Sequence, residues 1–61
     1  MINKLQYPIQ TTYYICKGDG EVKSYGTLET NQVLETIYDV FTYLNEEDYL
    51  TELSNNNIIL E

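Results

Sequence analysis

Residues 10–28 read QTTYYICKGDGEVKSYGTL and decide the fold. Over residues 5–15 every second position is mostly apolar, which is the period of a strand with one buried face. Residues 21–28 alternate again, and the Asp-Gly pair at 19–20 supplies the positive-φ positions that tight hairpins require. The stretch therefore predicts an antiparallel β-hairpin. Pro8 cannot donate to a ladder and predicts a break that splits the first segment into two pieces.

The parity of the two strands restricts the length of the hairpin loop. If Ile15 faces the core, a loop of two or four residues places Val22 and Leu28 on the same face. A loop of three residues would place Lys23 there instead. We therefore expect an even loop, most simply of four residues, with Ile15 opposite Val22.

The apolar period becomes helical after the hairpin. An N-cap is expected at Asn31 or Thr30, because short polar side chains accept hydrogen bonds from the first turn of a helix. The apolar residues that follow form a wide stripe suited to packing on a sheet. They are Val33, Leu34, Ile37, Tyr38, Phe41 and Leu44. The sequence thus predicts an amphipathic helix that covers the hairpin.

A short second helix is expected over residues 46–53, with Asn45 as its N-cap. This helix would bury Tyr49, Leu50 and Leu53. The polar run that follows leads into Ile58-Ile59-Leu60, so residues 54–61 form either a flexible or docking tail or a further strand.

The predicted fold class is α+β in a single small domain over residues 1–61. It consists of an antiparallel hairpin, extended to three strands if a terminal segment joins it, packed by one amphipathic helix and a short second helix. A chain this short buries only about 60% of its unfolded surface, so its stability is small. The lone Cys16 allows no intrachain disulfide, and without histidine a zinc site is not expected. Oligomerisation or docking on a partner remains as a source of stability.

Charge is distributed unevenly along the chain. All three lysines lie in the first 26 residues, whereas residues 27–61 carry eight acidic residues and no cation. The net charge is −7. An acidic half repels nucleic acid and anionic membrane and favours a basic protein surface, so we expect neither direct nucleic-acid binding nor membrane association.

No motif in the sequence indicates catalysis or a cofactor. With no histidine in the chain, the usual neutral-pH base is missing, and Cys16 has no such base to activate it. Glycines 18 and 20 belong to a turn rather than to a phosphate loop, and Asp19 and Glu21 are too few for a calcium loop. We expect a protein that is not an enzyme and has no cofactor or metal. A single cysteine, with no leader-like or membrane-spanning segment, favours a cytoplasmic location.

The acidic second half is the candidate partner-binding surface. On the predicted helix the carboxylates of Glu35 and Asp39 would lie one turn apart. Rows of carboxylates can pair with the lysines and arginines that a nucleic-acid-binding protein uses to bind phosphates. Tyrosines on outer faces, expected at 14, 25 and 43, would add apolar contact, whereas those at 7, 13 and 38 are expected in the core. The candidate site residues are Glu35, Asp39, Tyr43, Glu46, Glu47, Asp48 and Glu52.

In overall style the chain resembles small accessory proteins of bacteriophages, which are short, acidic and rich in Tyr, Ile and Asn. Several of these inhibit host defence systems, but no motif carries the resemblance and it assigns no residue a role. The leading hypothesis is a non-catalytic, phage-encoded interaction protein. It would block or modulate a basic surface of a host nucleic-acid-binding or defence protein. The alternative is a structural or assembly subunit, such as a small homo-oligomer, that uses Ile58–Leu60 and exposed strand edges.

Overall fold

The predicted hairpin supplies two of the three strands of the larger of two antiparallel sheets. The computed structural model describes residues 2–59, and its elements make the fold α+β, as predicted. The three-stranded sheet has the order β3-β2-β5, and the two-stranded sheet pairs β1 with β4. The elements in chain order are β1 (Asn3–Gln6), β2 (Thr12–Gly18), β3 (Glu21–Leu28), β4 (Val33–Thr36), β5 (Asp39–Tyr43) and α1 (Glu46–Asn55).

The hairpin loop is even, as predicted, but it has two residues rather than the four that were favoured. Asp19 and Gly20 have φ values of 55° and 79°, the left-handed conformation that a type I′ turn needs at both positions. The ladder pairs Cys16 with Ser24 and Lys17 with Val22, which leaves Lys23 as the extra residue of a β-bulge.

The bulge changes which residues share a face. Ile15 lies opposite Tyr25 rather than Val22, although Val22 still packs against the cluster that contains Ile15. Leu28 pairs with Thr12 and is buried on the other face of the sheet. The expectation that Leu28 shares a face with Ile15 was therefore wrong, because the bulge shifts the alternation by one residue.

Residues 33–44 do not form the predicted amphipathic helix. They form β4 and β5, which pair with different sheets and are separated by a bend at 37–38. A helical stripe would have buried Ile37 and Leu44, whose exposed fractions are 71% and 67%. β-branched and aromatic residues dominate the segment and fit a pleated sheet better than a helix. Pairing of β4 with β1 and of β5 with β2, both distant in sequence, then stabilises strands rather than a helix.

The predicted helix cap at residues 30–31 is a turn between β3 and β4. Asn31 has a φ of 67°, and the Gln32 N–H donates to the Glu29 carbonyl over 3.1 Å. The Pro8 break was predicted correctly, since β1 and β2 are separate strands. The third strand of the larger sheet is β5 rather than a terminal segment, and the N-terminal β1 pairs with β4.

Both faces of the larger sheet are covered. On one face Ile15, Tyr49 and Leu53 form the central cluster, which places α1 against β2 and β5. On the other face Thr12, Cys16 and Leu28 are buried as well. Since the helix lies on the first face, we infer that the two-stranded sheet covers the second, with Leu5 and Leu34 paired as its half-buried residues.

The predicted second helix is the single helix of residues 2–59. Its cap is Asn45, whose side-chain oxygen accepts from the Glu47 N–H over 2.7 Å. Tyr49 and Leu53 are buried as expected, whereas the prediction for Leu50 was wrong, because 38% of its surface is exposed. No helix in residues 2–59 is long and apolar enough to cross a membrane.

The end of the helix positions the first part of the predicted tail. Asn57 adopts a φ of 66°, and the Ile58 N–H donates to the Leu53 carbonyl over 2.9 Å, which makes a Schellman motif. The side chain of Ile58 packs against the central cluster and is therefore not available as a docking residue in this conformation. Leu60 and Glu61, which also belong to the predicted tail, lie outside the described residues.

Candidate acidic binding surface

Every lysine of the chain is already paired with a glutamate. Their Nζ atoms lie within ion-pair distance of one carboxylate oxygen each. The pairs are Lys4–Glu35 at 3.7 Å, Lys17–Glu52 at 2.8 Å and Lys23–Glu21 at 2.7 Å. The remaining carboxylates must therefore carry the surplus negative charge of the chain.

Half of these remaining carboxylates are consecutive. Over residues 2–59, six acidic side chains have no lysine nitrogen within 4.0 Å: Asp19, Glu29, Asp39, Glu46, Glu47 and Asp48. The last three form the first turn of α1 and are all exposed. We call Glu46, Glu47 and Asp48 the acidic turn. It is the densest concentration of unpaired charge in the described part of the chain.

The local structure explains why three adjacent acids are tolerated at this position. The N-terminal end of a helix carries a partial positive charge, so carboxylates in the first turn are stabilised there. The Asn45 cap fixes that turn. Glu46 also accepts a 3.4 Å hydrogen bond from the Tyr13 hydroxyl. Desolvation, and then the charge and hydrogen bond of Glu46, raise the pKa of Tyr13 above its ordinary value.

A shallow, open depression runs along the outward side of α1 from the acidic turn. Glu46 and Glu47 border its N-terminal end, and Leu50 lies beside them. Thr51, Ser54 and Asn55 complete its lining. Carboxylates and accessible aliphatic carbon thus occur together on this side of the helix.

Glu35 and Asp39 do not lie one turn apart, as the helical prediction required. Glu35 lies on β4 in the smaller sheet and pairs with Lys4 of the adjacent strand. Asp39 begins β5 in the larger sheet, where its backbone neighbour is Lys17. It also lines a second open depression with Asn3 and Lys4. Neither residue extends the acidic turn.

Glu52 and Tyr43 have structural contacts of their own. The hydrogen bond from Lys17, followed by the charge of that lysine, lowers the pKa of Glu52 below its ordinary value. Tyr43 is half-buried and packs against the central cluster, so its expected outward position was wrong. Burial, and to a lesser extent the charge of Glu52, raise the pKa of Tyr43. Of the seven candidate residues, the structure groups only Glu46, Glu47 and Asp48.

Some of the other tyrosines lie in the core or at the surface as expected, and others do not. Tyr13 packs against the core and stacks on Tyr49 with ring centroids 4.8 Å apart. Tyr7 was expected in the core but is 64% exposed, because it follows β1 in a left-handed conformation with a φ of 56°. Tyr25 is 40% exposed, as expected, whereas Tyr14 is half-buried.

An apolar surface that the sequence reasoning missed lies on the two-stranded sheet. Strand alternation places Val33 on the same outward face as the Lys4–Glu35 pair, and Ile2 and Ile37 flank one end of the ladder. All three apolar residues are exposed. The only available signal was the strand-like composition of residues 33–36, which the helical spacing obscured.

Within residues 2–59, no group of three or more cysteine, aspartate or glutamate side chains is arranged to hold a metal ion. No protein-family model, curated protein or solved structure matches this chain.

Proposed function

We propose that this chain is a non-catalytic interaction protein whose acidic turn binds a basic surface of a partner protein. The observation that carries the proposal is the separation of charge: all three lysines are paired elsewhere, while Glu46, Glu47 and Asp48 face solvent with no lysine within 4.0 Å. Exposed, like-charged groups give long-range attraction to an oppositely charged surface and accelerate encounter with it.

The partner class that fits this surface is a protein that itself binds phosphates. Such proteins present clustered lysines and arginines, and carboxylates can occupy those groups in place of the nucleic-acid backbone. The stylistic resemblance to phage accessory proteins makes a host nucleic-acid-binding or defence protein the first partner to test. Occupation of its basic surface would block or modulate the partner without any chemical step.

The test compares two variants that lose the same charge at different places. E46Q/E47Q removes two carboxylates of the acidic turn, and D19N/E29Q removes two unpaired carboxylates of the hairpin and the turn after β3. Tagged copies of each, and of the natural chain, are used to capture proteins from a bacterial lysate at low and high salt. We expect a basic protein that is released by salt, lost with E46Q/E47Q and retained with D19N/E29Q.

Equal loss with both variants would show that net charge alone drives capture and would contradict the assignment to the acidic turn. Capture of the same protein by both variants at full yield would contradict it as well. Folding of each variant is checked by circular dichroism, because neutralising the first turn also removes a favourable helix-dipole interaction.

A second candidate function, a small assembly subunit, is supported by the exposed apolar residues of the two-stranded sheet. Ile37 is 71% exposed next to the charge-balanced Lys4–Glu35 pair, a surface on which a second acidic copy would meet little repulsion. Light scattering distinguishes this function from the first. If the chain is an assembly subunit, it self-associates and I37K abolishes the association. I9K, which changes an isoleucine that is 91% exposed outside the strands, leaves it intact.

A further inference from the structure

We infer that a second copy of this chain docks on the outward face of the two-stranded sheet, in a dimer whose two-fold axis runs parallel to the strands. The inference rests on the second candidate function, self-association, and specifies how the two copies meet. We call this surface the ladder face. Its residues are Ile2, Lys4, Gln6, Val33, Glu35 and Ile37, all of which are exposed.

The strand register places these six residues on one side of the sheet. Side chains alternate between the two faces of a strand, and Leu5 and Leu34, which lie between the exposed positions, are half-buried. The ladder face therefore consists of cross-strand pairs, the first of which continues the register by one residue beyond Asn3. The pairs are Ile2 with Ile37, Lys4 with Glu35 and Gln6 with Val33.

The apolar part of the ladder face lies mainly at one end. Ile2 and Ile37 are 62% and 71% exposed, and Val33 at the other end is 42% exposed. Removal of such aliphatic surface from water favours association. A second copy that presents the same two isoleucines would cover them with side chains of the same kind.

The charges of the ladder face cancel on a strongly acidic chain. The chain has a net charge of −7, so most surfaces of two copies repel each other. Lys4 and Glu35 give the ladder face one charge of each sign. It is thus a surface through which two copies can approach without a local excess of negative charge.

The Lys4–Glu35 pair also retains capacity for a further partner. Its Nζ–Oε1 distance is 3.7 Å, longer than a hydrogen bond, and the two side chains are 47% and 54% exposed. The pairs of Lys17 and Lys23 are hydrogen-bonded at 2.8 and 2.7 Å. Lys4 and Glu35 can therefore each bond to an opposite charge on another molecule.

These charges select the symmetry of the dimer. A two-fold axis between the faces and parallel to the strands places Lys4 of each copy over Glu35 of the other, and Ile2 over Ile37. A two-fold axis perpendicular to the strands would instead place Lys4 over Lys4 and Glu35 over Glu35. The parallel axis also agrees with the near-aligned strand directions of sheets that pack face to face.

The size of the ladder face determines the strength of association. The strands β1 and β4 have four residues each, so the dimer buries less than the about 1,200 Å² at the lower end of standard interfaces. We therefore expect a reversible dimer with a dissociation constant in the micromolar to millimolar range.

Charge-reversed variants of the full chain test this geometry. Association is measured by sedimentation equilibrium over a concentration series, at about 0.15 M salt so that the net charges are screened beyond about 8 Å. K4E alone and E35K alone place like charges across the interface, so each should associate at least about tenfold more weakly than the natural chain. An equal mixture of K4E and E35K restores both intermolecular pairs and should form a mixed dimer as tightly as the natural chain dimerises.

K23E is the matched control for K4E. It also turns a lysine–glutamate pair into two like charges and changes the net charge by the same amount, but it lies on β3. K23E should therefore leave dimerisation unchanged. Thermal unfolding verifies that each variant is folded.

Amide chemical shifts of the natural chain provide a measurement that needs no variant. The shifts that change with protein concentration should be confined to residues 2–6 and 33–37. Changes centred on β3 or α1 would place the interface elsewhere and overturn the inference.

The outcomes separate the inference from the functions proposed above. If the mixture of K4E and E35K stays monomeric while I37K also abolishes dimerisation of the natural chain, the parallel-axis geometry is overturned and self-association through this sheet remains. A natural chain that is monomeric throughout the series would overturn both the inference and the second candidate function. Capture of a basic protein by the acidic turn would stand in either case, because E46Q/E47Q tests it independently.

Discussion

Lys17 Nζ lies 2.8 Å from Glu52 Oε1 and joins the central strand β2 to the last turns of α1. The same ammonium lies 5.4 Å from the centroid of the Phe41 ring on β5. One cation therefore contacts the helix and both of the strands beneath it. This makes Lys17 a structural residue and removes Glu52 from the surface that a partner could neutralise.

We expect the stability of the domain to fall in acid partly through this pair. The hydrogen bond and charge of Lys17 lower the pKa of Glu52 below its ordinary value of 4.5. A carboxyl group with a lowered folded-state pKa contributes stability above its unfolded pKa and loses that contribution as the pH falls through the folded value. Urea unfolding should therefore show a stability that is constant near neutrality and decreases below about pH 4.5.

Glu52→Gln should flatten part of that acid decrease and lower the urea midpoint at pH 7. Glu29→Gln is the matched control, because Glu29 has no lysine partner in the described residues. If the two variants had the same pH profile, the Lys17–Glu52 pair would have no role in acid stability.

The buried and exposed leucines of α1 should differ strongly in their contribution to stability. Leu53 has no exposed surface and belongs to the central cluster, so Leu53→Ala should cost about 2–5 kcal/mol and unfold much of a domain this small. Leu50→Ala, the same change one turn earlier, should stay within about 0.5 kcal/mol. Thermal unfolding of both variants measures the difference, and equal losses would place the core elsewhere.

The hairpin and α1 could be predicted because their signals are local. An Asp-Gly turn between alternating segments and an Asn45 cap before Tyr49 and Leu53 specify their structures without reference to the rest of the chain. The four-residue loop was wrong, although the two-residue turn satisfies the same parity and places Val22 against the core. The bulge at Lys23 then moves Leu28 to the other face. The alternation of apolar residues along a strand does not by itself reveal a bulge.

The segment 33–44 could not be assigned from its spacing. Its apolar residues fit a helical stripe, but β4 and β5 belong to different sheets, and their partners are more than 20 residues away in sequence. The predicted positions of Glu35 and Asp39 in the candidate site were wrong for the same reason, because both residues were placed on one helix. Glu46, Glu47 and Asp48 lie together because they are consecutive and belong to the first turn of α1.

The C-terminal cap of α1 should be sensitive to the residue at position 57. Asn57 holds a φ of 66°, a conformation that asparagine tolerates and alanine does not. Asn57→Ala should destabilise the domain by about 1–2 kcal/mol, whereas Asn57→Gly should be neutral or stabilising. Urea unfolding tests the pair. A loss with glycine equal to that with alanine would mean that the asparagine side chain, rather than the backbone conformation, matters here.

Gly18 is required by the ring of Tyr38. A Cβ atom at Gly18 would lie 2.6 Å from Tyr38 Cδ1 and 3.1 Å from Cε1, closer than non-bonded carbons approach. Tyr38 is half-buried in the connection between β4 and β5, and Asn3 Nδ2 donates to its carbonyl over 2.7 Å, so its backbone is held in place. Gly18→Ala should therefore cost about 1–3 kcal/mol through overpacking.

A double-mutant cycle identifies the ring as the cause of that cost. In a Tyr38→Ala background the obstructing atoms are absent, so adding Gly18→Ala should be nearly neutral or slightly stabilising, because alanine restricts the unfolded chain more than glycine does. Free energies of unfolding for the four proteins of the cycle come from urea titration. An unchanged cost of Gly18→Ala in the Tyr38→Ala background would show that the strand backbone, and not the tyrosine ring, requires glycine at position 18.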